Sequence, residues 1–213
     1  MKKIILIAFA TLLSIIIFSS TIHVGADIVE GGDDFYVLKN NVKVKKDNLE
    51  VITDLATVTL INEEWRKLES SGKIIINTDT MEATSNILNY DLKNDEGTLK
   101  ENVETKINLE DEKVIFIFCD KINFNNKNKT YSGTSYGEKL VKIIKEDYEI
   151  YAKNFTYDEN TKLLVLEDSV IIKNEKKNIN METSKATFKT DKNEISAQKV
   201  KLTLEIKDEE ENK

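Results

Sequence analysis

The sequence predicts an all-β protein built from repeated strand pairs, and three observations lead to that class. The phrase Leu-x-x-[Asn/Ser]-Val-x-x-Lys occurs three times, beginning at Leu38, Leu99 and Leu166, so the copies are 61 and 67 residues apart. Apolar residues in and between the copies alternate with polar ones at period two, which is typical of half-buried strands. Short Asn/Asp-rich segments interrupt this alternation and supply turn residues, so we expect a meander of roughly eleven to fourteen short strands.

The first residues predict export from the cytoplasm. Two lysines after the initiator precede an apolar or small run over 4–18, and Val24 and Ala26 form an acceptable cleavage site. We therefore expect a signal peptide over 1–26, followed by a linker over 27–34. The apolar stretch extends far enough toward Val24 to leave an uncleaved membrane anchor as the alternative.

The remaining chain is acidic, which narrows the class of partner. The formal net charge is −7, and removal of the segment 1–26 with its two lysines makes it −9. Nucleic acids and anionic bilayers are bound by clustered Lys and Arg, so we expect neither a nucleic-acid partner nor electrostatic membrane adhesion. The last residues, 207–213, are expected to form a solvated acidic tail.

Residues for catalysis or metal binding are scarce. The single histidine, His23, lies in the predicted signal peptide, and the single cysteine, Cys119, lies inside an apolar run. Zinc sites and Ser, Cys or His hydrolytic sites depend on imidazole, so we expect no enzyme, catalytic residue, metal or cofactor. Asp91 and Asp158 each follow a tyrosine in a repeated turn, which favours Asx turns over an acid pair.

Each repeat is interpreted as two strands, one with the valine phrase and one with a small residue followed by an aromatic. Tyr90-Asp91 and Tyr157-Asp158 in the second phrase are 67 residues apart, the same offset as the second and third valine phrases. A two-stranded unit cannot bury its apolar face alone, so neighbours must stack on it. The result is a rolled sheet or an open sandwich with a continuous apolar interior.

These paired phrases resemble the OstA-like domain of lipopolysaccharide-transport proteins, in its LptA-type form, over about 35–206. The sequence departs from the family habit by placing Asn41, Asn102 and Ser169 where glycine often precedes the valine. The resemblance implies an open β-jellyroll, a V-shaped pair of antiparallel sheets in the periplasm. It also implies an interior that receives the lipid A acyl chains of lipopolysaccharide, and end-to-end joining by edge strands to LptC-like and LptD-like components or to further copies.

The groove and its edges follow from alternation within this implied fold. The predicted edge strands run over 35–44, with Phe35 and Val37, and from Val200 to Ile206, with Val200, Leu202 and Leu204. The predicted groove residues are the apolar positions expected to face inward: Val42, Val44, Leu55, Ile74, Ile76, Val103, Ile107, Phe116, Phe118, Ile122, Phe124, Ile150, Val170, Ile172, Phe188, Leu202 and Leu204.

Two other functions remain open at this stage. The first is a membrane-anchored, LptC-like component of the same system, held in the inner membrane by a single span with its domain in the periplasm. The second is a non-catalytic structural β-repeat protein of the envelope whose core is filled and carries no cargo.

Overall fold

The structure is a computed structural model that describes residues 21–204, so most of the predicted signal segment and the acidic tail lie outside it. Within that range the only helical element is a 3-10 turn at Glu110–Glu112, and no helix there is long and apolar enough to cross a membrane. The all-β prediction is confirmed. The strands are β1 (Ile22–Gly25), β2 (Ile28–Gly31), β3 (Phe35–Lys46), β4 (Leu49–Ile61), β5 (Glu64–Asn77), β6 (Met81–Asp91), β7 (Glu96–Asn108), β8 (Val114–Asn125), β9 (Thr130–Thr134), β10 (Val141–Lys145), β11 (Tyr148–Ala152), β12 (Asn154–Asp158), β13 (Leu163–Asn174), β14 (Ile179–Lys189), β15 (Glu194–Ala197) and β16 (Lys201–Leu204).

The described strands form one antiparallel meander. Four pairs of short strands, β1 with β2, β9 with β10, β11 with β12 and β15 with β16, each lie end to end along the same long neighbours. Counting each such pair as one strand gives twelve strands, and each of the ten inner ones is hydrogen-bonded to the strand before it and the strand after it in the sequence. Every strand therefore has the same shape, two straight halves joined at a corner.

The corners are β-bulges that place two residues of one strand opposite one residue of the next. Between β3 and β4 the ladder jumps from Lys39–Leu55 to Val42–Thr53. The β5–β6, β7–β8 and β13–β14 ladders jump in the same way. A bulge of this kind bends the strand and increases its twist. Because neighbouring strands bulge at the same level, the whole sheet folds along one line.

The repeated valine phrase lies on the side of the bulge that contributes two residues. In each copy the two residues before the valine have positive φ, with values of 51° to 64° in Asn40-Asn41, Glu101-Asn102 and Asp168-Ser169. This left-handed region suits Gly and Asn and penalises β-branched side chains. The family habit of glycine and the Asn or Ser of this chain therefore satisfy the same backbone requirement, and Gly72, with φ of 103°, supplies it in β5.

The side of the bulge that contributes one residue is stabilised by a side-chain hydrogen bond and not by residues in the left-handed region. Thr53, Ser85, Cys119 and Thr183 each precede the single corner residue, and each donates to the carbonyl two residues further on at 3.2 to 3.5 Å. Thr53 also shares a 2.8 Å hydrogen bond with Ser70. Cys119 thus occupies the place that a hydroxyl residue has in the equivalent strands.

The corner line divides the sheet into two walls that face each other. The first wall consists of β1, β10, β11, β16 and residues 42–46, 49–53, 74–77, 81–85, 103–108, 114–119, 170–174 and 179–183. The second wall consists of β2, β9, β12, β15 and residues 35–39, 56–61, 64–71, 87–91, 96–100, 121–125, 163–167 and 185–189. Alternate residues of both walls point into the space between them and form a single buried core. The V-shaped pair of sheets implied by the resemblance is confirmed.

The turns agree with the Asn/Asp-rich breaks. Asp91 Oδ1 accepts the backbone amides of Lys93 and Asn94 at 2.9 and 3.0 Å. Asp158 Oδ1 likewise accepts the amides of Asn160 and Thr161 at 2.8 and 3.1 Å. Both aspartates therefore form the Asx turns that the sequence predicted.

The N-terminal edge needs a correction. The sequence assigns 22–31 to a signal peptide and a linker, but in the structure these residues contain β1 and β2, which pair with β3 on the side opposite β4. Phe35 and Val37 therefore lie on an interior strand, and the described edge of the sheet is 22–31. The apolar residues of 22–29 suit a half-buried strand as well as the end of a signal peptide, so the sequence pattern alone did not indicate this edge strand.

Replacing Asn102 by Val should destabilise the domain. A β-branched side chain in the left-handed region is expected to cost about 1–2 kcal/mol of unfolding free energy. Replacement by Gly should leave the stability close to that of the original chain. Urea denaturation followed by circular dichroism measures both effects. Asn123, which lies in a straight half of β8, provides the matched control, because Asn123→Val should be tolerated. Equal losses at 102 and 123 would contradict the corner assignment.

The Cys119 thiol should be unreactive in the folded protein. Burial raises its pKa from an ordinary value of 9.0 to about 12. Since the thiolate is the reactive form, alkylation at pH 8 should be about a thousandfold slower than for a free thiol. Mass spectrometry after iodoacetamide treatment measures the rate, with Cys119→Ser/Ser196→Cys as the exposed-thiol control. A folded chain that is labelled at Cys119 as fast as the control would refute the buried position.

Candidate lipid-binding interior

The interior between the walls is lined by a continuous apolar face. Twelve of the seventeen predicted groove residues point into it and are at most 3% exposed. These are Val42, Val44, Ile74, Ile76, Val103, Ile107, Ile122, Phe124, Ile150, Val170, Ile172 and Phe188. Side chains of opposite walls meet there, as in the edge-on contact of Tyr148 in the first wall with Phe188 in the second, at 5.2 Å between ring centroids. The structure thus brings these residues together on one surface.

Three predicted groove residues lie on the outside of the protein. Phe116 and Phe118 alternate with buried Ile115 and Ile117 on β8, and they are 38% and 36% exposed on its outer face. The run 114–119 is apolar on both faces, so alternation could not assign its inner side. Leu55 lies at the corner of β4 and is 40% exposed, because the bulge shifts the phase of alternation there.

The two remaining groove residues, Leu202 and Leu204, lie on the terminal strand. They stand opposite Met181 and Ile179 in the ladder, so they are on the inner face, yet they are 49% and 58% exposed. Val24 and Val29 have the same position on the first strand, opposite Val44 and Leu38, and are 37% and 57% exposed. The apolar inner face therefore continues to both ends of the meander and is uncovered there.

The side of the V opposite the corner line, which we call the mouth, is closed by polar contacts. These contacts join the turns at the tips of the two walls and the strand ends beside them. On the first wall these turns follow β3, β5, β7 and β10, and on the second they follow β6, β8, β12 and β14. We call these contacts the tip row. It consists of Lys46 Nζ to Asp95 Oδ1 at 2.5 Å, Asn126 Nδ2 to Asn48 Oδ1 at 2.9 Å, Thr80 Oγ1 to Tyr131 Oη at 3.1 Å, Lys162 Nζ to Glu110 Oε1 at 3.1 Å, and Asn193 with both Lys145 Nζ at 2.7 Å and Glu146 Oε2 at 2.6 Å.

The contacts of the tip row are regularly spaced along the chain. Five of its six contacts join residues separated by 47 to 52 positions, from Lys46–Asp95 at one end to Glu146–Asn193 at the other. A constant separation means that each tip of the first wall meets a tip of the second wall displaced along the meander. The contacts are therefore a regular feature of the architecture.

The charged groups of the tip row are partly withdrawn from water. Lys145 is 1% exposed, and its ammonium contacts both Asn193 and Glu146. The hydrogen bond from Asn193, with Lys145 and Lys113 nearby, lowers the pKa of Glu146, so this carboxylate is held in its charged form. Burial raises the pKa of Tyr131 to about 12, so its hydroxyl remains protonated and able to donate.

One buried carboxylate at the mouth is incompletely paired. Glu159 begins the turn after β12, is 7% exposed, and forms an ion pair with Lys129 at 3.5 Å. Its Oε2 has no hydrogen-bond partner among the described residues. A buried acceptor without a donor costs free energy, so the closed mouth is not fully satisfied at this point.

Sequence reasoning identified the turns but missed their contacts across the mouth. It also missed the corner hydroxyls. The pattern [Thr/Ser/Cys]-[Asp/Asn/Ser], in Thr53-Asp54, Ser85-Asn86, Cys119-Asp120 and Thr183-Ser184, could have revealed the corners, because its first three copies recur after 32 and 34 residues. Among residues 21–204, no group of three or more Cys, His, Asp and Glu side chains is arranged to hold a metal ion.

Comparison with known proteins gives the family. The family model described as OstA-like protein matches residues 16–184, which is most of the chain. Among solved structures, the chain is similar to the crystal structure of LptH from Pseudomonas aeruginosa, described as the LptA-homologous periplasmic component of the lipopolysaccharide transport device. That match has 12% identity and a TM-score of 0.26, and it covers 87% of this chain and 96% of that one. No curated protein matches. Because the family model spans both walls from the first strand into β14, this chain belongs to the OstA-like family.

Proposed function

We propose that this protein is a periplasmic carrier that shields the acyl chains of lipopolysaccharide between its two walls during transport toward the outer membrane. The observation that carries the proposal is the inner face, which is apolar through all twelve strands and uncovered at both terminal strands. A protein that only needed a filled core would gain nothing from inner-face residues such as Leu204 and Val29 that are more than half exposed. Membership in the OstA-like family supports the cargo class.

The physical chemistry of the interior suits an acyl cargo. Burial of a methylene group contributes about 0.8 kcal/mol, so several acyl chains would be held strongly without any covalent step. The turns at the mouth are polar and charged, which would leave sugars and phosphates in contact with water. The lysine three residues after each repeated valine faces outward, and Lys106 pairs there with Glu82 at 2.9 Å.

The ends of the sheet suit joining to a second sheet. The strand formed by β1 and β2 and the strand formed by β15 and β16 each pair on one side only within the described residues. A free strand edge binds another strand through backbone hydrogen bonds. Pairing at either end would also cover the exposed inner-face residues and extend the apolar interior into the partner, which we propose to be an LptC-like or LptD-like component or a second copy.

One observation favours the membrane-anchored alternative. Strand β1 (Ile22–Gly25) belongs to the sheet, and cleavage after Ala26 would remove it from the domain. A chain anchored through its first residues, or cut before Ile22, would keep this strand. N-terminal sequencing of the protein extracted from the envelope distinguishes these forms: a start at Asp27 supports the soluble carrier, and an intact Met1 supports the anchored component.

Photo-crosslinking should give lipopolysaccharide adducts from the inner face only. Phe124 is 3% exposed and points inward, whereas Phe118 on the same strand is 36% exposed and points outward. We expect a benzoylphenylalanine at 124 to yield adducts in cells, detected by blotting for lipid A, and the matched probe at 118 to yield few. A folded protein without adducts at 124 would favour the structural β-repeat alternative.

Removal of the last strand should weaken end-to-end association. Truncation after Val200 deletes β16 and exposes the inner-face residue Met181 and the edge of β14. We expect sedimentation velocity to show fewer oligomers than for the complete chain. Truncation after residue 206 removes only the acidic tail and serves as the control. An unchanged oligomer distribution after the longer truncation would mean that the C-terminal edge is not the joint.

A further inference from the structure

We propose that the tip row is a clasp that must open for cargo to enter, so that the two walls separate about the corner line and admit acyl chains through the mouth. This inference rests on the proposed function and concerns the regulation of the same site. It assigns to the polar turns a role beyond reversing the chain.

The closed walls leave no room for cargo between them. The twelve inward groove residues are at most 3% exposed and pack against each other. An acyl chain is about as thick as a side-chain layer, and cores packed to protein density do not admit one without movement. Binding between the walls therefore requires the walls to move apart.

The two walls are joined in different ways at the corner and at the mouth. At the corner the walls are covalently continuous in every long strand, and the bulges are supported by hydrogen bonds such as Ser70 Oγ to the Leu55 carbonyl at 2.7 Å. At the mouth the walls are joined only through side chains among the described contacts that link opposite tips. The corner is thus the natural hinge, and the tip row is the side that can separate.

The contacts of the tip row can open and close reversibly. The tip row is made of amides, hydroxyls, ammonium and carboxylate groups that water can satisfy when the mouth opens. Glu159 Oε2, which lacks a partner in the closed arrangement, would gain hydrogen bonds on opening. The closed mouth therefore excludes water from the apolar face without fixing the walls permanently.

A reversible lock across the mouth tests the clasp. Asn48 and Asn126 are hydrogen-bonded across it, so Asn48→Cys and Asn126→Cys can be joined by a short, reducible bis-methanethiosulfonate linker. The full chain also carries Cys119→Ser, which keeps the corner hydrogen bond, and the benzoylphenylalanine probe at 124. We expect the adduct yield with lipopolysaccharide to fall about tenfold on locking and to recover on reduction, because only the open state is competent to bind.

A control lock separates closure from chemical modification. Thr187 and Ser196 are directly opposite each other on β14 and β15 of the same wall, so a linker between cysteines at these positions leaves the mouth free. Its adduct yield should be unchanged. If the locked mouth gives the same yield as the reduced protein, cargo enters without opening the tip row and the clasp is refuted. If the reduced protein gives no adduct either, the proposed carrier function itself fails, and the clasp fails with it.

Discussion

The architecture depends on a backbone constraint at the corner of each strand. Neighbouring strands are hydrogen-bonded to each other, so one strand cannot bend unless the next bends at the same level. The chain meets this requirement by placing two residues opposite one at each bulge, with the longer side in the left-handed region at Asn40-Asn41, Glu101-Asn102 and Asp168-Ser169. Once the corners are aligned, the two walls, their shared apolar face and the meeting of their tips all follow.

The two sides of the corner use different chemistry for a geometric reason. The strand with the extra residue passes through the left-handed region, which short polar residues and glycine tolerate. The facing strand has a single residue at the bulge. The hydroxyl or thiol of the residue before it donates to the carbonyl two residues further on, as Ser85 does to the Ile87 carbonyl at 3.2 Å. This arrangement explains why a hydroxyl residue stands in the place of Cys119 in the equivalent strands, whereas burial is what raises the pKa of the Cys119 thiol.

The closed interior and the proposed cargo are compatible in energetic terms. Separation of the walls exposes an apolar face to water, which costs about 25 cal/mol of free energy for each Å² exposed. Acyl chains that enter would cover the same face, so their burial offsets that cost. The ion pairs of the tip row are partly buried, with the Lys46 side chain 10% and the Lys162 side chain 24% exposed, so the cost of removing these charges from water offsets much of their attraction. Their contribution is to determine which tip of one wall meets which tip of the other, while apolar packing supplies most of the closing free energy.

Four kinds of feature could be predicted from the sequence alone, namely the strand periodicity, the repeat, the turns at Asp91 and Asp158, and the family resemblance. These features are local, because alternation, turn residues and left-handed positions depend on a few adjacent residues. Of the seventeen predicted groove residues, fourteen point inward, and twelve of these are buried. Alternation could not assign the inner face at Phe116 and Phe118, where both faces of the strand are apolar, or at Leu55, where a bulge shifts the phase. At 22–31 a strand and a signal peptide have similar composition.

The folded structure was needed to show that the bends align, that β3 is an interior strand, and that residues about 50 positions apart close the mouth. These facts depend on pairing between distant segments. Such pairing is set by the free energy of the whole sheet, and no single segment records it.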